Sequence, residues 1–208
     1  MDRNIFPGVI AMAILVVASN ILVQYLYGNW LTYGAFTYPL TFLVNDLTNR
    51  LQGPRAARQV VVSGFIVGII CSLIGSQIQG EFGPLVTFRV AVGSGLAFLN
   101  GQLLDILVFN RYRNTRGWWK APFFSALIGS TLDSIIFFTI AFAGFLVFLE
   151  PSNDVSWAGK MLPALGQGPI APLWVSLALA DWMVKLFIAI FGLIPFRLIV
   201  ANFAKKVA

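Results

Sequence analysis

Asp133, Asp181 and Lys185 stand inside apolar stretches, where carboxylate and ammonium groups need a reason to be. Asp133 interrupts the run IGSTLDSIIFF (128–138), while Asp181 and Lys185 in DWMVK are four residues apart and can pair on one helix face. An ionised Asp, Lys or Arg at the centre of a membrane helix costs roughly 2.5–3.5 kcal/mol on insertion scales, so such a group has a partner or lines a polar path. Asp46, Asp105 and Arg89 raise the same question. Enzyme chemistry is poorly supplied. The chain has no histidine and one cysteine, Cys71, so it offers no HExxH zinc site, no His-based triad and no Cys/His cluster for a transition metal. The contexts GQLLD and GSTLD do not match the active-site sequence of an aspartyl intramembrane protease. No catalytic residue, metal ligand or cofactor is expected, and with no nucleotide-binding motif any use of ATP would need a separate protein. The charges are left with solute binding, coupling or mutual neutralisation.

Positioning them falls to long apolar segments. The 208 residues are 58% hydrophobic and 11% charged, with a mean hydropathy of +0.82, whereas about a quarter of an ordinary soluble domain is charged. This composition predicts an all-α integral membrane protein forming one transmembrane domain over 1–208. Apolar runs at Ile5–Tyr27, Leu31–Val44, Gln59–Ser76, Val86–Phe109, Pro122–Phe148 and Pro172–Val200 predict six transmembrane helices, most reaching the ~20 residues that cross the hydrocarbon. The second run is short and holds Pro39, so it is expected to be buried and kinked, with a packing or a cavity-lining role for the kink. The first run exceeds the core of a secretory signal and carries Asn20 and Gln24, so an uncleaved helix is expected. Cys71 lies in an apolar setting and reads as an inert packing residue.

Charge orients the helices. Arg3, Arg50, Arg55, Arg58, Arg111, Arg113, Arg116, Lys120, Arg197, Lys205 and Lys206, eleven of the fourteen basic residues, fall on one side of the predicted spans. By the positive-inside rule that side is cytoplasmic, and so are both termini. The net charge of +6 therefore reports topology and not a nucleic-acid partner. Trp118 and Trp119 beside Lys120 read as an interfacial belt, and Arg111–Arg116 as an anchor in contact with anionic lipid.

Small residues every four positions mark helix contacts: Gly64, Gly68, Ser72 and Ser76; then Gly93, Ala97, Gly101 and Asp105; then Ser125, Gly129 and Asp133. The two aspartates continue these ridges, which turns them toward helix neighbours and away from lipid. Asp105 lies near the predicted cytoplasmic end, within reach of Arg111 or Arg113. Arg89 and Asn100 fall on one helix face and suggest a polar line, unless Arg89 snorkels outward. Thr37, Thr41, Asn45 and Asp46 add hydrogen-bonding groups along and below the second span.

Three segments carry a more specific signal: FTYPLTFLVNDLTNRLQGPRAARQVVVSGF (36–65), GQLLDILVFNRYRNTRGWWKAPFFSALIGSTLDSIIFFTIAF (101–142) and DWMVKLFIAIFGLIP (181–195). Together, and in this order, they resemble the queuosine-precursor transporters of the vitamin uptake transporter family. The chain keeps Asp46, Gly53 and Arg58 of the first motif and Gly101, Gln102, Asp105, Arg113, Trp118, Trp119, Gly129 and Asp133 of the second. It has Arg50 where some broader-family members carry Glu, so vitamin substrates of distant relatives do not transfer. The resemblance implies a multi-pass protein of the bacterial inner membrane that takes up a deazaguanine, 7-cyano-7-deazaguanine (preQ0) before its aminomethyl counterpart preQ1. The N1–H and exocyclic amine of such a base form a donor pair that a carboxylate accepts. Asp133 is the first candidate, with Asn100, Asn20, Gln24, Asn45 and Gln102 as amide partners and Tyr38 and Phe98 as stacking rings. Arg89, Asp46, Asp105, Asp181 and Lys185 are assigned to coupling or structural charge. Alternating access suits six packed helices, with proton coupling through Asp133 or the Asp181–Lys185 pair, or with facilitated diffusion. The transporter would act alone or as a homo-oligomer; the alternative is a substrate-binding membrane subunit of a multicomponent ATP-driven importer.

Overall fold

The structure, a computed structural model, describes residues 4–81 and 83–207, with side chains placed through residue 203. Helix α1 (Phe6–Leu22) begins with Pro7 in its first turn, where the missing N–H costs nothing. A small antiparallel ladder of β1 (Leu26–Tyr27) and β2 (Leu31–Thr32) leads to the one-turn helix α2 (Gly34–Thr37) and then to α3 (Leu40–Gln52). The run expected to form a kinked second span is thus divided into two helices. Pro39 has no N–H to continue a helix and stands at the N-cap of α3, between the two pieces. Gly53 alone separates α3 from α4 (Pro54–Gln77), at a φ of 95° that favours glycine. A second ladder, β3 (Gln79–Gly80) with β4 (Gly83–Pro84), precedes α5 (Phe88–Tyr112) and α6 (Lys120–Phe142). Short 3₁₀ turns and a third ladder, β5 (Met161–Pro163) with β6 (Ile170–Pro172), connect to α7 (Leu173–Val207).

Four helices among the described residues, α4, α5, α6 and α7, are long and apolar enough to cross a membrane. The 24 residues of α4 rise roughly 36 Å, more than the hydrocarbon thickness. Helix α1 is apolar but only 17 residues long, and α3 has 13. The outward faces of α4 and α7 expose Ile66, Ile70, Leu73, Phe187, Phe191 and Ile194, apolar surface of the kind that lipid covers. Inside, Met12, Val16, Val60, Val61, Phe98 and Ile106 join α1, α4 and α5, and Phe109, Ala121 and Phe196 join α5, α6 and α7.

The ridge residues of α5 and α6 meet as their spacing predicts. On α5, a Cβ at Gly101 would lie 2.8 Å from Asp133 Cβ, and on α6 one at Gly129 would lie 2.8 Å from the Gly101 carbonyl oxygen. The two backbones meet because neither glycine has a side chain, and Asp105 and Asp133 are enclosed at 0% and 2% exposure.

Charge separates by end. Arg113 donates to the Asn49 carbonyl and, at 2.9 Å, to Asn49 Oδ1; Arg50 donates to the Arg113 carbonyl at 3.4 Å, and Arg197 lies 4.9 Å from the Trp118 ring centre. At the other end Glu150 accepts from the Phe88 and Arg89 amides at 3.1 and 2.9 Å, satisfying free N–H groups where α5 begins. The buried Arg89 guanidinium donates to the carbonyls of Ile140 and Ala143 at 2.9 and 2.7 Å, capping the end of α6. These contacts correct two expectations. Arg89 makes no polar line with Asn100, which is exposed and donates to its own helix at Leu96. Asp105 does not meet Arg113, because Arg113 serves Asn49 and Asp105 accepts from Asn45. Of the basic residues expected at one membrane face, Arg3, Lys205 and Lys206 fall outside the described side chains.

Candidate functional site

Lys185 on α7 is the hub of the site. Its Nζ lies 2.6 Å from Asp133 Oδ2, 2.5 Å from Asp181 Oδ2 and 2.8 Å from Ser134 Oγ, which gives each ammonium proton a partner. The Ser134 hydroxyl passes its own proton to Asp181 at 2.9 Å. Tyr38, held at the break between α2 and α3, donates to Asp133 Oδ1 at 2.6 Å, and its ring centre is 5.2 Å from Lys185 Nζ. Two acidic side chains thus share one lysine, in a setting where Asp133 is 2% and Lys185 4% exposed. The carboxyl oxygens of such a cluster are acceptors for hydrogen-bond donors or a positive charge.

Aromatic rings flank it. Phe42 and Phe98 each stand 6.3 Å from Tyr38 between ring centres, edge to face, so one side of Asp133 is walled by planar surfaces. Beyond Phe42, α3, α6 and α7 enclose a narrow cavity reached by Asp46, Ser130 and Lys185 and otherwise lined by Pro39 and apolar residues of the three helices. Its free volume is about 20 Å³, room for a water molecule but far below the ~300 Å³ of ordinary ligand pockets.

A polar layer adjoins the site toward the Arg50–Arg113 end. Thr41 donates to the Tyr38 carbonyl at 2.7 Å and accepts from Gln102 Nε2 at 2.8 Å. Asn45 Nδ2 donates to the Gln102 carbonyl at 3.1 Å and to Asp105 Oδ2 at 2.9 Å, while Ser125 donates to Asp46 at 3.0 Å. Separate hydrogen bonds to main-chain and side-chain atoms thus link Asp105 to Asn45, Asn45 to Gln102, Gln102 to Thr41 and Thr41 to Tyr38, which ties the polar layer to the residue that binds Asp133.

Of the residues singled out in the sequence, Asp133, Tyr38, Lys185 and Asp181 come together, Phe98 borders them, and Asn45, Gln102, Asp46 and Asp105 form the adjoining layer. Asn20 donates to the Val16 carbonyl of its own helix, Gln24 is exposed beyond α1, and Asn100 and Arg89 lie elsewhere. The sequence reading passed over Ser134, Phe42, and the pair formed by Trp182 Nε1 and Thr131 Oγ1 at 2.9 Å. Ser134 and Trp182 adjoin Asp133 and Asp181 in sequence, a proximity that could have flagged them.

Comparison with known proteins supplies a context for this geometry. The chain is 33% identical over 207 residues, 93% of its length and 84% of the relative's, to a protein of Escherichia coli (strain K12) named queuosine precursor transporter. It is 33% identical over 181 residues, 82% of its length and 68% of the relative's, to a Haemophilus influenzae protein named "Probable queuosine precursor transporter". No solved structure matches. The family model described as "Putative vitamin uptake transporter" covers residues 32–200, which hold every residue of the Lys185 cluster, and the chain belongs to that family.

Proposed function

We propose that this protein carries a queuosine precursor, preQ0 in the first place, across the bacterial inner membrane by alternating access, with Asp133 accepting hydrogen bonds from the base. The observation that carries this is the Tyr38–Asp133–Lys185–Asp181 cluster, a buried site with two acidic side chains for one lysine inside a bundle of apolar helices. The names of the two relatives supply the substrate class. A deazaguanine offers Asp133 its N1–H and amine, while Tyr38, Phe42 and Phe98 provide faces for its planar ring. Helices α1 and α3, with the break at Pro39 between α2 and α3, complete six spans around the site. The Arg50–Arg113–Arg197 end faces the cytoplasm together with both termini.

Uptake of labelled preQ0 by cells lacking precursor synthesis, with and without this protein, tests the assignment. Protein-dependent uptake that falls at least tenfold in Asp133→Asn is expected; equal uptake by properly inserted wild type and variant would remove the carboxylate from recognition. Transport by the purified chain in liposomes free of any ATPase distinguishes a self-sufficient carrier from a subunit of an ATP-driven importer.

A further inference from the structure

Among the described residues, a second set of buried acids has no ion-pair partner. We infer that Asp46 and Asp105 form a proton-binding site, two carboxyl groups sharing one proton, and that this proton moves inward with the transported base. The movement rests on the uptake proposed above; the sharing of the proton does not.

Asp46 on α3 and Asp105 on α5 are 3% and 0% exposed, and they share one polar layer: Asn45, next to Asp46 in the chain, donates to Asp105 at 2.9 Å, and Ser125 donates to Asp46 at 3.0 Å. Among the described residues the ion pairs are those of Lys185 with Asp133 and Asp181, so neither acid has one. The charges on every neighbouring element are otherwise committed or turned away. Helices α1 and α2 carry none, Arg50 on α3 and Arg55 and Arg58 on α4 are exposed, and on α5 Arg111 is exposed while Arg113 serves Asn49. On α6 Lys120 is the first residue and Asp133 lies two turns beyond Ser125; on α7 Lys185 is saturated, and Arg197 lies over Trp118.

The surrounding amides point the same way. Asn45 cannot be flipped, since its Nδ2 serves both the Gln102 carbonyl and Asp105, and Gln102 cannot, since its Nε2 serves Thr41, whose own proton is spent on Tyr38. This leaves Asn45 Oδ1, Gln102 Oε1 and Asp105 Oδ1 buried with no donor. A site with a surplus of acceptors takes a proton or a cation. The proton is favoured because two acids buried in one polar layer with no cation do not both ionise, and one proton supplies a donor that the layer lacks. A cavity of about 20 Å³ beside Asp46 leaves no room for a hydrated metal ion.

The placement suits coupling. Ser125, which binds Asp46, precedes Asp133 by eight residues on α6, about 12 Å toward the basic end. Since α3 carries both Tyr38's neighbour Thr41 and Asp46, a movement of α3 away from α5 and α7 to release the base also parts the two acids. The separated groups then ionise, and the shared proton leaves on the side where the base leaves.

The test uses the full chain in liposomes with labelled preQ0. An inwardly directed proton gradient is expected to drive accumulation by the wild type. Asp46→Asn and Asp105→Asn should lose that accumulation while keeping preQ0 exchange without a gradient; gradient-driven accumulation in both variants, or accumulation that follows a sodium gradient at fixed pH, overturns the inference. Infrared spectroscopy of the unmodified protein decides where a variant also loses exchange. A protonated-carboxyl band at neutral pH, shifted in Ser125→Ala, supports the shared proton, and its absence overturns it. If the protein carries no preQ0 but shows this band, the uptake assignment fails while the proton site stands.

Discussion

Lys185 is held by Asp133, Asp181 and Ser134 within 2.8 Å, and removing its charge would leave two carboxylates facing each other with no cation. Breaking a buried ion pair by deleting one partner costs about 3–5 kcal/mol, because the remaining charge keeps its desolvation penalty. Lys185→Met is therefore expected to lower the unfolding midpoint in detergent strongly, and adding Asp181→Asn should recover part of the loss. A double variant no more stable than the single one would show that Asp181 does not depend on Lys185. The sequence made half of this visible. The four-residue spacing pairs Asp181 with Lys185 on one face, and the apolar run around Asp133 demands a partner. That Asp133 and Lys185 serve each other is written in the packing of α6 on α7, 52 residues apart, and no local spacing encodes it. Asn100 misled for the same reason: its position on the helix was legible, but the neighbour it faces was not.

At the scale of elements, the α5–α6 seam was the most legible feature, because small residues at intervals of four have one dominant physical use, the close approach of helices. Its consequence is sharp. A Cβ at Gly129 would sit 2.8 Å from the Gly101 carbonyl and 3.0 Å from Asp105 Cβ, whereas one at Gly68 would meet only Val16 Cγ1 at 3.7 Å. Gly129→Ala is expected to destabilise by about 1–3 kcal/mol, the usual cost of overpacking, and to reduce preQ0 uptake by displacing Asp105 and Asp133. Gly68→Ala, on a ridge of the same spacing, should leave both close to wild type, and thermal unfolding of the two variants in parallel checks this. Equal tolerance of the two substitutions would mean that the seam can relax. The break at Pro39 and the Arg89 cap were less legible. Proline announces a disturbance without fixing whether the helix bends or ends, and the carbonyls that Arg89 caps lie 51 and 54 residues away.

For the whole molecule, the small cavity between α3, α6 and α7 sets a requirement. At about 20 Å³ it admits water and not a bicyclic base, so the base proposed to bind Asp133 would reach it only if a wall moves. Helix α6 is tied to α5 through the glycine contacts, while α3 is a short element bounded by Pro39 and Gly53 and α7 presents Gly192, beside which a Cβ would meet nothing within 4 Å. The moving wall is therefore expected where α3 faces α7. Leu43 on α3 and Gly192 on α7 line the cavity, and Cys71 can be replaced to give a cysteine-free background. In Leu43→Cys/Gly192→Cys, a short thiol cross-linker should abolish uptake of preQ0, cleaving the linker should restore it, and each single cysteine variant should be indifferent to the reagent. Full uptake by the cross-linked protein would place the moving wall elsewhere, because a site closed on this side in every state could neither receive the base nor release it here. Loss of uptake that returns on cleavage would tie transport to separation of α3 and α7, the movement that opens Asp133 and Asp46 together.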